Sequence, residues 1–343
     1  MKVKKYFYQF EKDEFRDFLI ENQFQKFVAN QVFDWVYKKH IINPEKMNNI
    51  SKENRKKLDD LIDFRPFSFV ESITSKEELA IKNMCSLDDG KIVECVILKE
   101  KTYNTLCISS QVGCPVDCKF CLTGVMGFKR QLSAAEIIAQ VTYAFSIGHP
   151  ISNIVFMGMG EPLLNYKNVF TAIDFLCSEE SYNLSRRKIT VSTSGYIQGI
   201  KQLIEDENFI NLAFSVGSAD PLKRIKIMPT ELRNPLIEFI KVLKEYQQLH
   251  NRKLTLEYTM LENENDSDYD MNSLINLSKF LDAKINLINL NPHEKIPFKP
   301  ISTKKLLILR DKIKESGCPV TIRFKKGQDI TAACGQLGES GIK

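Results

Sequence analysis

Up to about residue 65, apolar positions recur at helical spacing: Phe15, Phe18 and Leu19, then Val32, Phe33, Val36 and Tyr37, then Leu58, Leu61 and Ile62. That period predicts a small helical domain over residues 1–65. Between residues 66 and 99 the pattern turns to alternating and β-branched segments, FSFVESI and KIVECVIL, with the turn signal Asp88-Asp89-Gly90 between them, which predicts a short β connector. Over residues 100–343 a strand-like run and a helix-like run alternate six times, from TLCIS through NIVFMG, KITVSTS, INLAFSV and KLTLEYTM to KINLINL. Each run is apolar enough to be buried on both faces, as parallel strands covered by helices are. An α/β chain with a partial (β/α)6 barrel follows, in preference to an open sheet. Ser133-x-x-Glu136 opens the first barrel helix as a capping box, and Gly148 falls where that helix should stop. A last strand, PVTIR, leads into the glycine-bearing tail GQDITAACGQLG, which is expected to be mobile.

Composition narrows the class. The 343 residues are 43% hydrophobic and 27% charged, ordinary for a globular chain. No run approaches the roughly 18 apolar residues of a membrane span, and the start MKVKKYFYQFEKDEF lacks a secretory core, so a cytoplasmic protein is expected. Nine unevenly spread cysteines argue against a disulfide framework and for thiols used as ligands or reactants. A net charge of +5 permits a polyanionic partner without demanding one.

The chemistry concentrates in GCPVDCKFC, where Cys114, Cys118 and Cys121 form C-x3-C-x2-C with no histidine between His40 and His149 to complete the set. Structural zinc is closed by four protein ligands, whereas a [4Fe-4S] cluster held by three cysteines leaves one iron open for a small molecule. The spacing points to such a cluster; a zinc knuckle with a distant fourth ligand is the alternative. The loop follows the first barrel strand, and loops at the carboxyl ends of barrel strands build active sites. Phe120, just before Cys121, is placed to pack on a cofactor or shield the cluster from water. After the second strand, the glycines of Gly158-Met159-Gly160-Glu161 admit close backbone approach and the carboxylate can accept from an ammonium group, although an isolated GxGE is more often a plain turn. Ser192 and Ser215 end the third and fourth strands, as ligand contacts or as hydroxyls bonding their own backbone. Taken singly, Cys334 and Cys107 read as small buried hydrophobes and Glu94 as a solvated strand residue.

C-x3-C-x-F-C after the first strand of a β/α barrel resembles the signature of the radical S-adenosylmethionine (SAM) superfamily. TLCISSQVGC, FMGMGEPL, VSTSG, the INL-x-x-x-NP run and DITAACGQL together resemble the RlmN/Cfr family of radical SAM RNA adenine methyltransferases over about residues 90–338, with an echo in QVFDWVYKK. The resemblance implies a radical SAM barrel with Cys114, Cys118 and Cys121 as cluster ligands. Gly160 and Glu161 would meet the SAM amino group, Ser192 and Ser215 would be further SAM contacts, and Asn291 would meet the adenosyl group. Cys334 would carry a methyl group, Cys107 would resolve a protein–RNA adduct and leave a disulfide for reduction, and Glu94 would accept a proton. Cys85, Cys95, Cys177 and Cys318 match no functional position. Where relatives read Ser-Leu-His this chain has Ser215-Val216-Gly217, so that only backbone groups of Val216 and Gly217 are expected to line the pocket. Asn289-Leu290 and HEKIPFKP depart as well, which puts substrate contacts there in question.

Carbon 2 of adenine carries no acidic proton, so simple methyl transfer from SAM cannot reach it and a radical route is required. The implied reaction uses two SAM per turnover and a reducing electron donor such as flavodoxin or ferredoxin. Its implied substrates are 23S rRNA near the peptidyl-transferase centre and tRNA beside the anticodon. Basic groups at Lys129-Arg130, Arg186-Arg187-Lys188, Lys223-Arg224 with Lys226, and Arg323 with Lys325-Lys326 are expected to ring the barrel mouth and bind phosphate. A Cfr-type enzyme, methylating carbon 8 and conferring ribosomal antibiotic resistance, is the nearest alternative; Val112 and Pro162 favour carbon 2. Gly217 prompts a second alternative, a SAM- and RNA-binding protein without turnover.

Overall fold

The computed structural model describes residues 4–250, 254–323 and 327–338. At the N-terminus, β1 (Lys5–Tyr6) pairs in parallel with β2 (Ile62–Asp63) and brackets helices α1 (Lys12–Glu21), α2 (Phe27–Phe33) and α3 (Lys52–Leu61). Helix α2 runs on as a π-helical turn over Asp34–Lys38. The predicted apolar stripes meet around Phe7, whose ring contacts Phe15, Phe33, Tyr37 and Phe64. Tyr37 reaches out of this knot to Phe175 and Tyr182, which docks the helices on the barrel.

Three antiparallel strands follow: β3 (Phe69–Thr74), β4 (Ala80–Ser86) and β5 (Ile92–Lys99). Strand β4, with the sequence AIKNMCS, has no alternating pattern and went unforeseen. The Asp88-Asp89-Gly90 turn joins β4 to β5. Then β6 (Asn104–Cys107) pairs antiparallel with β5, so the connector strands continue the barrel sheet without a break.

The cysteine loop springs from β6. Short strands β7 (Gln111–Val112) and β8 (Arg130–Gln131) pair and close its base, with helix α4 (Leu122–Val125) inside it. Helix α5 (Ala134–Ser146) begins with the expected reciprocal capping box of Ser133 and Glu136, and Gly148 follows its end at φ +87°. The remaining strands are β9 (Ile151–Phe156), β10 (Ile189–Thr193), β11 (Asn211–Ser215), β12 (Thr255–Met260), β13 (Lys284–Asn289) and β14 (Val320–Arg323). Between them run α6 (Tyr166–Cys177), α7 (Ile197–Glu205), α8 (Pro221–Ile227), α9 (Leu236–His250), α10 (Asp268–Phe280) and α11 (Thr303–Glu315). The ten-stranded sheet has the order β14-β13-β12-β11-β10-β9-β6-β5-β4-β3, with every pair from β6 to β14 parallel. The six predicted barrel strands are thus joined by PVTIR as a further parallel edge. All carboxyl ends point one way, and the site forms there. No described helix is long and apolar enough to cross a membrane.

Candidate active site

One cavity at the carboxyl ends of the parallel strands is lined by Cys114, Cys118, Phe120 and Cys121 from the cysteine loop, Gly158, Gly160 and Glu161 after β9, Ser192 and Ser194 at β10, Ser215 at β11, Asn291 after β13, Arg323 at β14, and Cys334 with Gly335 from the tail. Most of the predicted residues therefore converge. Burial pushes the Cys114 thiol up to about 12 and that of Cys118 well above its ordinary range, and each of these thiols feels its neighbours as further unfavourable charge. Burial likewise raises Cys121. Three half-buried thiols on one cavity wall suit a cationic iron–sulfur core, which would hold them as thiolates.

No three His, Cys, Asp or Glu side chains among the described residues converge tightly enough to hold a single metal ion. The same cavity contains a buried acceptor without a partner, Asn291 Oδ1, as a site awaiting a donor from a ligand would. The residues present fit a [4Fe-4S] cluster with a small polar molecule beside it.

Glu161 is buried, which raises its pKa, while hydrogen bonds oppose the shift. The Ser194 N–H and hydroxyl donate to Oε2 at 2.7 and 2.8 Å, and the Leu163 N–H to Oε1 at 3.3 Å. Gly160 lies at φ +104°, and a Cβ there would stand 2.6 Å from Gln111 Cβ, so only glycine lets the turn close over that side chain. Gln111 in turn accepts the Glu161 N–H at 2.8 Å.

Val216 and Gly217 do not line the cavity. The Val216 N–H donates to Glu257 O at 3.0 Å, its carbonyl accepts from Arg224 Nε at 3.0 Å, and the Gly217 carbonyl accepts from Asn265 Nδ2 at 2.7 Å. Gly217 has φ +66°, and a Cβ would meet Met228 Sδ at 2.5 Å. These carbonyls are tied to Arg224 and Asn265, and a side chain at 217 would need left-handed backbone and a shifted Met228 side chain. In the divergent sixth-strand region, Asn289 bonds both Ile301 N and O, pinning the loop, and Leu290 lines the cavity.

Cys107, the last residue of β6, is buried and lies outside the cavity lining. Burial pushes its thiol up to about 12, Cys334 adds to the rise and Arg323 opposes it, so the two remote cysteines and the arginine form one electrostatic group. All nine cysteines are free. Glu94 also stays outside the cavity lining, though not in solvent: it is 1% exposed and paired with Lys82. Instead of a free tail, residues 327–338 are docked. The Leu122 N–H donates to Gly335 O at 2.8 Å, Thr123 Oγ1 to Leu337 O at 2.7 Å, and Asn291 Nδ2 to Cys334 O at 3.0 Å.

The ring of basic residues needs correction. Arg186–Lys188 precede β10 and so lie at the foot of the barrel, opposite the cavity. Arg224 is buried, donating to Ser194 O at 2.6 Å and pairing with Glu231 at 2.5 Å. Arg130 is tied to Asp89 and Glu136, and Lys223 to Asp270. Arg323 lines the cavity, and Lys325-Lys326 lie outside the described residues. Sequence reasoning missed Gln111, Ser194 and Arg224 as supports of the site. Gln111 and Ser194 stand inside motifs already singled out, TLCISSQVGC and VSTSG; Arg224 carried no signal beyond its charge.

The radical SAM superfamily model matches residues 108–274, and the model for the ribosomal RNA large subunit methyltransferase N-terminal domain matches residues 7–63. The chain is 39% identical over 329 residues to a probable dual-specificity RNA methyltransferase RlmN of Akkermansia muciniphila, covering 93% of this chain and 91% of that one. It is also 39% identical over 318 residues to the protein so named in Aquifex aeolicus, covering 90% of each. The crystal structure of a radical SAM methyltransferase from Sphaerobacter thermophilus matches with a TM-score of 0.91 at 33% identity, covering 97% of this chain and 99% of that one. Likeness along nearly the whole chain, joined to a cavity built around three convergent thiols, makes this protein a member of the RlmN family of radical SAM RNA methyltransferases, which work with a [4Fe-4S] cluster and SAM.

Proposed function

We propose that the protein methylates carbon 2 of an adenosine in 23S rRNA, in the peptidyl-transferase region, and in tRNA next to the anticodon, as a cytoplasmic enzyme. The observation that carries this reading is that Cys334, from the far end of the chain, faces the same cavity as the three cysteine-loop thiols and is close enough to Cys107 to raise that thiol. Two thiols remote in sequence that sense one another suit a carrier and a resolver.

Cys114, Cys118 and Cys121 would hold the cluster; Gly160, Glu161, Ser192, Ser215 and Asn291 would hold SAM. Bound there, the pair supplies a transferable methyl group and, on reduction, a carbon radical that removes a hydrogen atom. The Cys334 thiolate would take the methyl by displacement, its new sulfur–carbon bond forming as the sulfonium–methyl bond breaks and S-adenosylhomocysteine leaves with the electron pair, and would present that carbon to the adenine ring. Arg323, whose pKa Cys334 raises, is a fixed positive charge beside both sulfurs. Glu94 is the acceptor for the proton lost from the ring. Its Oε2 takes the Gly338 N–H while the tail is docked, so that role goes with a lifted tail. Once the ring adduct has given up its odd electron to the one-electron carrier, the Cys107 thiolate would attack Cys334 Sγ: the Cys334 sulfur–carbon bond breaks with its electrons left on the product carbon, which takes up a proton to complete the methyl, and a disulfide remains for two-electron reduction. The buried walls keep water and stray hydrogen donors from the reacting carbon.

The test is mass analysis of unmodified rRNA fragments and tRNA treated with the reconstituted protein, SAM and a flavodoxin or ferredoxin. A methyl on carbon 2 of adenine is expected. One on carbon 8 would make the enzyme Cfr-type, and no 5'-deoxyadenosine at all would leave only a binding protein.

A further inference from the structure

We propose that Lys82 is a positioning residue for Cys334: paired with Glu94 under the tail, it clamps the reactive-cysteine segment at both ends onto the antiparallel half of the sheet. The inference rests on the reading that Cys334 carries the methyl group. In the β4–β5 ladder Lys82 stands opposite Val96 and Glu94 opposite Met84, so the two charged side chains are diagonal neighbours on one face. Their Nζ and Oε1 are 3.1 Å apart, and each side chain is 1% exposed. Burying an ammonium and a carboxylate forfeits hydration that the pair alone seldom recovers, so stability does not account for them.

What their remaining valences do is hold the tail. Lys82 Nζ donates to Thr331 O at 3.3 Å and Thr331 Oγ1 at 3.2 Å, and Glu94 Oε2 accepts the Gly338 N–H at 2.9 Å. Cys334 lies between those two anchors. Thr331 is held at φ +49°, ψ +39°, left-handed backbone that a β-branched residue keeps only where its surroundings over-determine it. Lys82 binds both polar oxygens of that residue. The cysteine loop and Asn291 supply a separate set of bonds to residues 334–337, so the middle of the segment is fixed from the cluster side and its ends from the connector side. Cys334 has several partners to meet in turn: a methyl donor, the substrate carbon and Cys107. The Lys82–Glu94 clamp defines the docked position, in which Cys334 lines the cavity and is near enough to raise the Cys107 thiol.

The test uses the full chain with its cluster reconstituted without oxygen. Each cysteine is followed by peptide mass during treatment with iodoacetamide, and Cys107–Cys334 disulfide formation is followed separately under a mild oxidant. In Lys82→Met/Glu94→Leu, which leaves no unpaired buried charge, Cys334 should alkylate about tenfold faster and the disulfide should form about tenfold more slowly, with Cys177 and Cys318 unchanged. Thr331→Val removes one hydroxyl contact and keeps the pair, and should shift both rates the same way by roughly two- to threefold. Should the double variant fail to fold, Thr331→Val alone decides. Parental Cys334 rates in the folded variants overturn the proposal, as does a rise shared equally by Cys177 and Cys318, the mark of general loosening. Whether Cys334 carries a methyl is read independently, by its mass in the unaltered protein after exposure to SAM; an unmethylated Cys334 there removes the proposed function and the clamp's catalytic purpose, while the anchoring of the tail by Lys82 is still read from the alkylation rates.

Discussion

The two halves of the ten-stranded sheet do different work. From β6 to β14 the strands are parallel, and their carboxyl ends carry the cysteine loop, the Glu161 turn and Asn291 around one cavity. From β3 to β5 they are antiparallel and contribute nothing to that cavity's lining, yet β4 and β5 hold the tail that delivers Cys334 into it. Each half buries an ion pair that grips backbone. Arg224–Glu231 fixes the ends of β10 and β11 through Ser194 O and Val216 O, and Lys82–Glu94 fixes Thr331 and Gly338. The difference teaches that the parallel half builds a static socket for cofactors, while the antiparallel half governs a segment that has to change partners.

That division can be broken most severely at the sulfurs. Cys334→Ala should reduce RNA methylation to background while iron and labile sulfide contents stay normal, because the socket does not need the tail. Loss of the cluster in that variant would merge the two halves' roles. Cys107→Ala should trap the protein–RNA adduct, visible as a gel shift that survives denaturation; free methylated product would remove Cys107 from the resolving step.

The next largest effect concerns stability. Lys82→Ala strands Glu94 as an unpaired buried charge and should cost about 3–5 kcal/mol in chemical denaturation, whereas Lys82→Met/Glu94→Leu should lie within about 1 kcal/mol of the parent. A large loss in the double variant would mean that the pair serves the fold rather than the tail. On the socket side, Glu161→Gln should weaken SAM binding by about 10- to 100-fold in equilibrium titration of the reconstituted protein, the value of one charge-assisted contact.

The smallest effect is in the pH dependence. Burial raises the Cys107 thiol from its ordinary 9.0 to about 12, so the neutral thiol favours the folded state fully below pH 9, and that contribution is lost as pH rises through about 12. Alkylation of Cys107 should therefore climb over that window. Because Cys334 is the second cause of the rise, Cys334→Ala should move the midpoint downward, and an unmoved midpoint would place the two sulfurs farther apart than their coupling implies.

The socket was legible because its signals are local. C-x3-C-x2-C, GMGE and VSTSG each sit at the end of an apolar strand, where a barrel collects them. Strand β4 was not, since AIKNMCS puts a lysine and an asparagine among apolar residues and buries every residue but the last, which defeats an alternation rule. The same blindness sent Arg224 to the surface and Val216 into the pocket, because charge in a sequence does not reveal a buried partner.

By itself, then, the order of apolar runs determined a helical N-terminal part and a parallel α/β barrel, and cysteine spacing determined where a cluster would sit, since helix period, strand burial and ligand spacing act over a few residues. Only the tertiary structure decided that β4 and β5 meet the tail, that Lys82 reaches Thr331 249 positions away, and that Gly217 faces Met228 instead of a ligand. Those outcomes depend on which polar groups lose water together, and that is fixed by packing between segments remote in the chain.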